Sequence, residues 1–203
     1  MTGTEFDRQL QTYLDAKYPT LAGIDESEFV ELVEPLRDKA SDATATSDGR
    51  IPFALVVTSR LVSPDQVLPT VHWKATTGWT EYTADDLAGY HPIGGVDVPD
   101  HAAYLATDVD TGKATLDVRA KDAVPLIEGE GRTALTIDEG VSLLALWPGI
   151  LKDRNAFFLP GSRDASKRVA ALWVSKGHPR LGWCWEGNPH TWLGSASCGG
   201  RVA

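Results

Sequence analysis

An α+β fold, with a mainly antiparallel sheet and an N-terminal helical layer, is what this chain of 203 residues predicts. Near its start, and again before Pro148, apolar residues recur at helical spacing. From Ile51 onward they gather instead in short continuous or alternating runs of strand length. After Asn155 those runs crowd together with only Gly, Pro or Asn between them, a spacing that favours hairpins over crossover helices. One domain is expected, with residues 1–48 as the helical layer and residues 49–203 as the α+β body.

Phe6, Leu10, Tyr13 and Leu14 mark the first helix, with Thr4 as its N-cap and "YPTLAG" as its stop. Asp25, followed three residues on by Glu28, opens a second helix that presents Phe29, Leu32, Val33 and Leu36, and Pro35 must kink it or begin a new turn. "ASDATATSDGR" has no apolar residue larger than alanine and reads as a linker. "PFALVVTS" and "AAYLATDVDTG" read as strands. The long stretch between them, rich in Trp, Tyr and His, reads as loop with a short helix capped by Thr83. Thr136, followed by Asp138 and Glu139, starts a helix with Ile137, Val141, Leu144 and Ala145 on one stripe. "AFFLPG", "VAALWVSK" and "LGWCWEG" are the crowded strands, followed by "TWLGSAS".

Composition is that of an ordinary globular chain, 42% hydrophobic and 23% charged. The polar start and the lack of any apolar run near the roughly 20 residues of a membrane span lead us to expect a cytoplasmic protein with no membrane contact. The net charge of −9 argues against nucleic acid as a partner. Charge is unevenly spread, however: residues 1–149 hold 11 Lys+Arg against 25 Asp+Glu, and residues 150–203 hold 8 against 3. Either the two parts attract each other or the basic end attracts an anion.

The chemistry-bearing residues concentrate in "LGWCWEGNPHTWLGSASC". Period two puts Trp183 and Trp185 on one strand face and Cys184 on the other, so the indoles line a cleft or join the core. The turn at Asn188-Pro189 then presents His190 and Trp192. "PGSRDASKR" supplies Arg163 in a turn able to hold a carboxylate or phosphate, although it lacks phosphate-loop spacing. A zinc site from His178, Cys184, His190 and Cys198 would have gaps of five, five and seven residues, unlike the close ligand pairs of structural sites, so no metal and no cofactor is expected. Cys184 or Ser195 with His190 could form a nucleophile and base, but no G-x-S-x-G elbow accompanies them.

The segment "PGSRDASKRVAALWVSKGHPRLGWCWEGNPHTWLGSASC" resembles a bacterial domain-of-unknown-function family that has a Gly-Ser-Arg loop, a Gly-Trp-Cys-Trp strand and an Asn-Pro-His-Thr-Trp tail. The resemblance implies no activity and no catalytic residue. The functional expectation is a non-catalytic protein that binds a small anionic ligand through Arg163, Arg180, Trp183, Trp185, His190 and Trp192. Two alternatives stay open: a hydrolase using Cys184 or Ser195 with His190, and an interaction module acting through the acidic N-terminal helices. The residues say nothing of oligomeric state.

Overall fold

A computed structural model describes residues 4–47 and 49–203, leaving aside the side chains of residues 152–154. Its helices are α1 (Glu5–Asp15), α2 (Tyr18–Ala22), α3 (Glu26–Val33), α4 (Arg37–Ser41), α5 (Pro64–Val67), α6 (Ala84–Ala88), α7 (Ala120–Gly129) and α8 (Ile137–Leu146). The first strands are β1 (Ile51–Val57), β2 (His72–Trp73), β3 (Thr76–Thr77), β4 (Trp79–Thr80), β5 (His91–Pro92) and β6 (Ala103–Val109). They are followed by β7 (Thr133–Ala134), β8 (Ala156–Arg163), β9 (Arg168–Ser175), β10 (His178–Trp185), β11 (Leu193–Ser195), β12 (Ser197–Cys198) and β13 (Gly200–Val202). The architecture is α+β. No helix among the described residues is long and apolar enough to cross a membrane.

Two sheets organise the chain. The first is antiparallel, in the order β1-β6-β13. In the second the order is β11-β8-β9-β10-β4, with β5 also pairing β8. Its centre consists of the two expected hairpins, β8/β9 and β9/β10, while β4 and β11 join as parallel strands from distant parts of the chain. One face of this sheet contributes Phe157, Leu159, Ala170, Leu172 and Leu181 to the main core, which also takes in α8 and the first sheet. Phe158, Val169 and Ala171 turn to the other face, where they form a smaller cluster with Ala120, Ala156 and Leu193.

The N-terminal helices start where local capping chemistry says they should. Thr4 and Asp7 form a capping box on α1, and the Asp25 carboxylate accepts the Glu28 N–H at 2.8 Å. The first helix ends before "YPTLAG", at Asp15, but that segment is itself helical rather than only a stop. Lys17 breaks the chain direction at φ +62°, and Pro19 in the first turn nucleates α2. Phe6, Leu10, Phe29 and Leu36 are all buried in the main core. Gln9 accepts the Leu55 N–H at 2.7 Å and donates to the Phe53 carbonyl at 3.2 Å, while Tyr13 donates to the Leu55 carbonyl. Farther along β1, Ser142 of α8 accepts the Val57 N–H at 3.2 Å. Side chains thus occupy the outer edge of β1, which would otherwise invite pairing with another strand.

The expected linker is anchored instead of free, with Asp48 outside the described residues. Both the N–H and the hydroxyl of Thr46 donate to the Asp108 carboxylate at 2.8 Å, and the same carboxylate receives Arg132 at 2.5 Å and Arg50 at 3.1 Å. Burial opposes the charge on Asp108, but these donors outweigh it and hold the carboxyl down to about 2. A depressed carboxyl contributes stability above its unfolded value and loses it as pH falls through the folded one. Between about pH 4 and pH 2 the wild type should therefore lose about 2–3 kcal/mol that Asp108→Asn does not lose. Urea melts of both proteins across that range check this; parallel losses would refute it.

Helix α7 has no clear sequence signal. Pro125 lies inside it, where a missing N–H and a ring pressed on the preceding turn ordinarily end a helix.

Candidate functional site

The β9/β10 hairpin turns through Lys176 and Gly177, at φ +52° and +85°. Two consecutive positive φ values make the tight turn whose twist matches its strands, and glycine takes the second position without a Cβ clash. That turn sets Arg180 opposite Trp173, Gly182 opposite Ala171 and Cys184 opposite Val169. Directly opposed residues share a face. On the same face β4 adds Trp79 beside Arg180, and Phe158 of β8 lies opposite Ala171 with Ser195 of β11 beyond it.

The result is a ladder of rings around one guanidinium. Arg180 lies 4.5 Å from the Trp79 ring centroid and 4.9 Å from that of Trp173. Trp173 meets Trp192 at 6.5 Å, Trp192 meets His190 at 5.4 Å, and His190 meets Phe158 at 5.8 Å. At the hairpin end, a groove of about 390 Å³ is lined by Thr77, Trp79, Ser175, Lys176 and His178. His178 Nδ1 is held by the Thr77 carbonyl at 3.0 Å.

Gly182 makes room for the ladder, because a Cβ there would stand 2.4 Å from the tip of the Trp173 ring. Gly182→Ala is expected to push that indole off Arg180 and destabilise the fold by about 1–3 kcal/mol. Near-UV circular dichroism should lose tryptophan signal while the far-UV spectrum stays intact. An unchanged near-UV spectrum would show that Trp173 does not depend on the glycine.

Among the described residues, three buried side-chain polar atoms lack a hydrogen-bond partner: Arg180 Nε, His190 Nε2 and Ser195 Oγ. All three belong to this face. Buried polar groups are rarely left unpaired, and each normally has a reason in a ligand, a water or a reaction. Arg180 also reaches the exposed Glu81 carboxylate at 2.7 Å. Burial pushes the His190 imidazole below its ordinary value, so the ring is neutral at pH 7. Cys184 is pushed the other way by burial, against a smaller pull from Arg180, which keeps its thiol protonated. Ser195 Oγ and His190 Nε2 are not hydrogen-bonded to each other, so the pair lacks the contact by which a base activates a nucleophile.

Three of the six residues expected at the site, Arg180, His190 and Trp192, come together here. Trp183 and Trp185 emerge on the opposite face, where the Arg168 guanidinium stacks 4.1 Å from Trp183. Arg163 lies at the end of β8, donating to the Pro160 carbonyl at 2.7 Å and standing 4.0 Å from Glu186. Burial lowers its guanidinium pKa. The sequence reading did not select Trp79, Trp173 or Lys176, and it considered His178 only as a metal ligand. Trp173 could have been found from the Lys-Gly turn, which fixes its partner across the hairpin. No local signal places Trp79 beside a residue a hundred positions away. Both thiols are free: Cys198 is enclosed in the main core, where burial pushes it up to about 12, while Cys184 borders the smaller cluster. The apolar stripe of the acidic N-terminal helices is buried in the main core.

No curated protein and no solved structure matches the chain. A family model does, over residues 12–203, described as a family of unknown function (DUF5701). That span contains every residue of the ring ladder and the groove, and on its extent the chain belongs to this family of unknown function.

Proposed function

We propose that this protein is a non-catalytic binder of a small anionic ligand, received on the Trp79–Arg180–Trp173–Trp192–His190 face of the second sheet. The supporting observation is that the unpartnered buried atoms Arg180 Nε, His190 Nε2 and Ser195 Oγ all belong to this one face. Arg180, held flat between two indoles, presents a guanidinium edge suited to a carboxylate or phosphate. Its present partner, Glu81, is exposed enough to give way. Trp192, 39% exposed, offers an indole to the planar apolar part of the same ligand. Neutral His190 supplies a hydrogen bond without adding charge. Arg163, Trp183 and Trp185, expected at the site from the sequence, take no direct part in this reading.

Calorimetric titration with benzoate and adenosine monophosphate, against the uncharged benzamide and adenosine, tests it. At least one anion is expected to bind more tightly than its neutral counterpart. Arg180→Ala and Trp192→Ala should each weaken that binding roughly 2- to 30-fold, the range of about 0.5–2 kcal/mol per cation–π or stacking contact. Equal affinities for charged and neutral probes, or binding indifferent to both substitutions, would remove the anion site.

A further inference from the structure

We propose that the outer edge of β10 is the interface for a second copy of this chain, paired through a two-fold axis at Cys184. This does not rest on the ligand reading. Strand β4 covers β10 only at Arg180 and Leu181. From Gly182 to Trp185, β10 has β9 on one side and, among the described residues, no strand on the other. The two-residue turn at Lys176-Gly177 makes Ser175 and His178 the closing hydrogen-bonded pair. Counting from there, Trp183 and Trp185 occupy the positions whose N–H and C=O groups point away from β9 and into the open edge. Pro179 has the same parity, where its missing N–H costs the hairpin nothing.

Edges of this kind are normally blunted by charge, a bulge or proline. Gly182-Trp183-Cys184-Trp185 has none of the three, and its indoles remain 39% and 45% exposed. The occupant follows from register. Centring the two-fold axis on Trp183 would press Trp185 of the partner subunit against Leu181, whose edge β4 already fills. Centring it on Cys184 uses only free positions. Trp183 then lies opposite Trp185 of the partner subunit, twice over, so that four indoles form one cluster on a single face. On the other face the two Cys184 residues meet. Gly182 lies opposite Glu186 of the partner subunit, again twice, diagonal to Arg180, which keeps its own Glu81 partner at 2.7 Å. No charged residue of the paired segment lies directly opposite another of like sign, and the register sets Trp183 against Trp185 of the partner subunit twice over, a self-complementary match that a second copy supplies and an arbitrary peptide does not.

The test uses the full chain. Sedimentation equilibrium should show a dimer, and a short bismaleimide should cross-link it. Cys184→Ser should abolish the cross-link and leave the dimer, whereas Cys198→Ser, altering a thiol enclosed in the core, should leave both. Trp183→Lys, a charge placed on the edge, should raise the dimer dissociation constant at least about tenfold with unchanged far-UV circular dichroism. If that variant fails to fold, Trp185→Lys serves the same purpose. A wild type that sediments as a monomer at high concentration overturns the proposal, even if it captures a foreign peptide on this edge. So does a dimer that both lysine variants leave intact, or one whose cross-link survives Cys184→Ser.

Discussion

Arg201→Ala is expected to cost about 3–5 kcal/mol of stability, although Arg201 is the third residue from the end of the chain. Its guanidinium meets the fully buried Glu139 carboxylate at 2.6 and 2.9 Å, and it also donates to the Thr133 hydroxyl and the Ala134 carbonyl. Glu139 simultaneously accepts the Tyr104 hydroxyl at 2.9 Å and closes the capping box of α8 with Thr136. Removing the cation leaves a buried carboxylate without its counter-ion, and that penalty dominates the loss. The double variant Arg201→Met/Glu139→Gln removes both charges and should recover much of the stability. Equilibrium urea unfolding of the three proteins is the measurement. A single-variant loss below about 1 kcal/mol, or no recovery in the double variant, would mean that the pair is not buried as described.

The second large effect is expected in the N-terminal layer. Phe29 is fully buried and meets Tyr13 edge-on at 6.3 Å, so Phe29→Ala should cost about 3–5 kcal/mol by opening a cavity in the main core. Removing residues 1–48 goes further. It strips the cover from Phe53 and Leu55 and takes away Gln9 and Tyr13, which satisfy the outer edge of β1. An exposed edge beside an exposed apolar face is an aggregation site. The truncated chain should therefore be insoluble or unfolded when assayed by gel filtration and circular dichroism. A soluble, folded truncation would instead make the helices an appendage, the arrangement that the partner-docking alternative requires.

Helix starts were readable because their chemistry is local. Thr4 with Asp7, Asp25 with Glu28, Thr83 with Asp86 and Thr136 with Glu139 each satisfy orphan amides within one turn, and all four caps stand where the residues indicate. The exceptions break a local rule. Helix α2 starts after a left-handed lysine, and α7 runs through a proline; each is stabilised by what it packs against. The anchoring of the linker was hidden for another reason, since Thr46 finds its partner Asp108 sixty-two residues away.

The same division runs through the candidate site. The alternation of side chains along a strand is a property of the backbone, so the sequence by itself determined that Trp183 and Trp185 share one face of β10 while Arg180 and Cys184 share the other. The turn that precedes His190 and Trp192 was expected at Asn188-Pro189 but forms at Glu186-Gly187, closed by the Asn188 N–H on the Trp185 carbonyl at 3.1 Å. Which strand lies alongside β10 is a different kind of fact, because every backbone edge offers the same donors and acceptors. The choice depends on which arrangement buries both sheet faces at once. Only the tertiary structure could decide that Trp79 flanks Arg180 and that His190 folds over Phe158, away from the Trp183 and Trp185 face, where Phe158, Ala171 and Leu193 need a cover that the main core cannot provide.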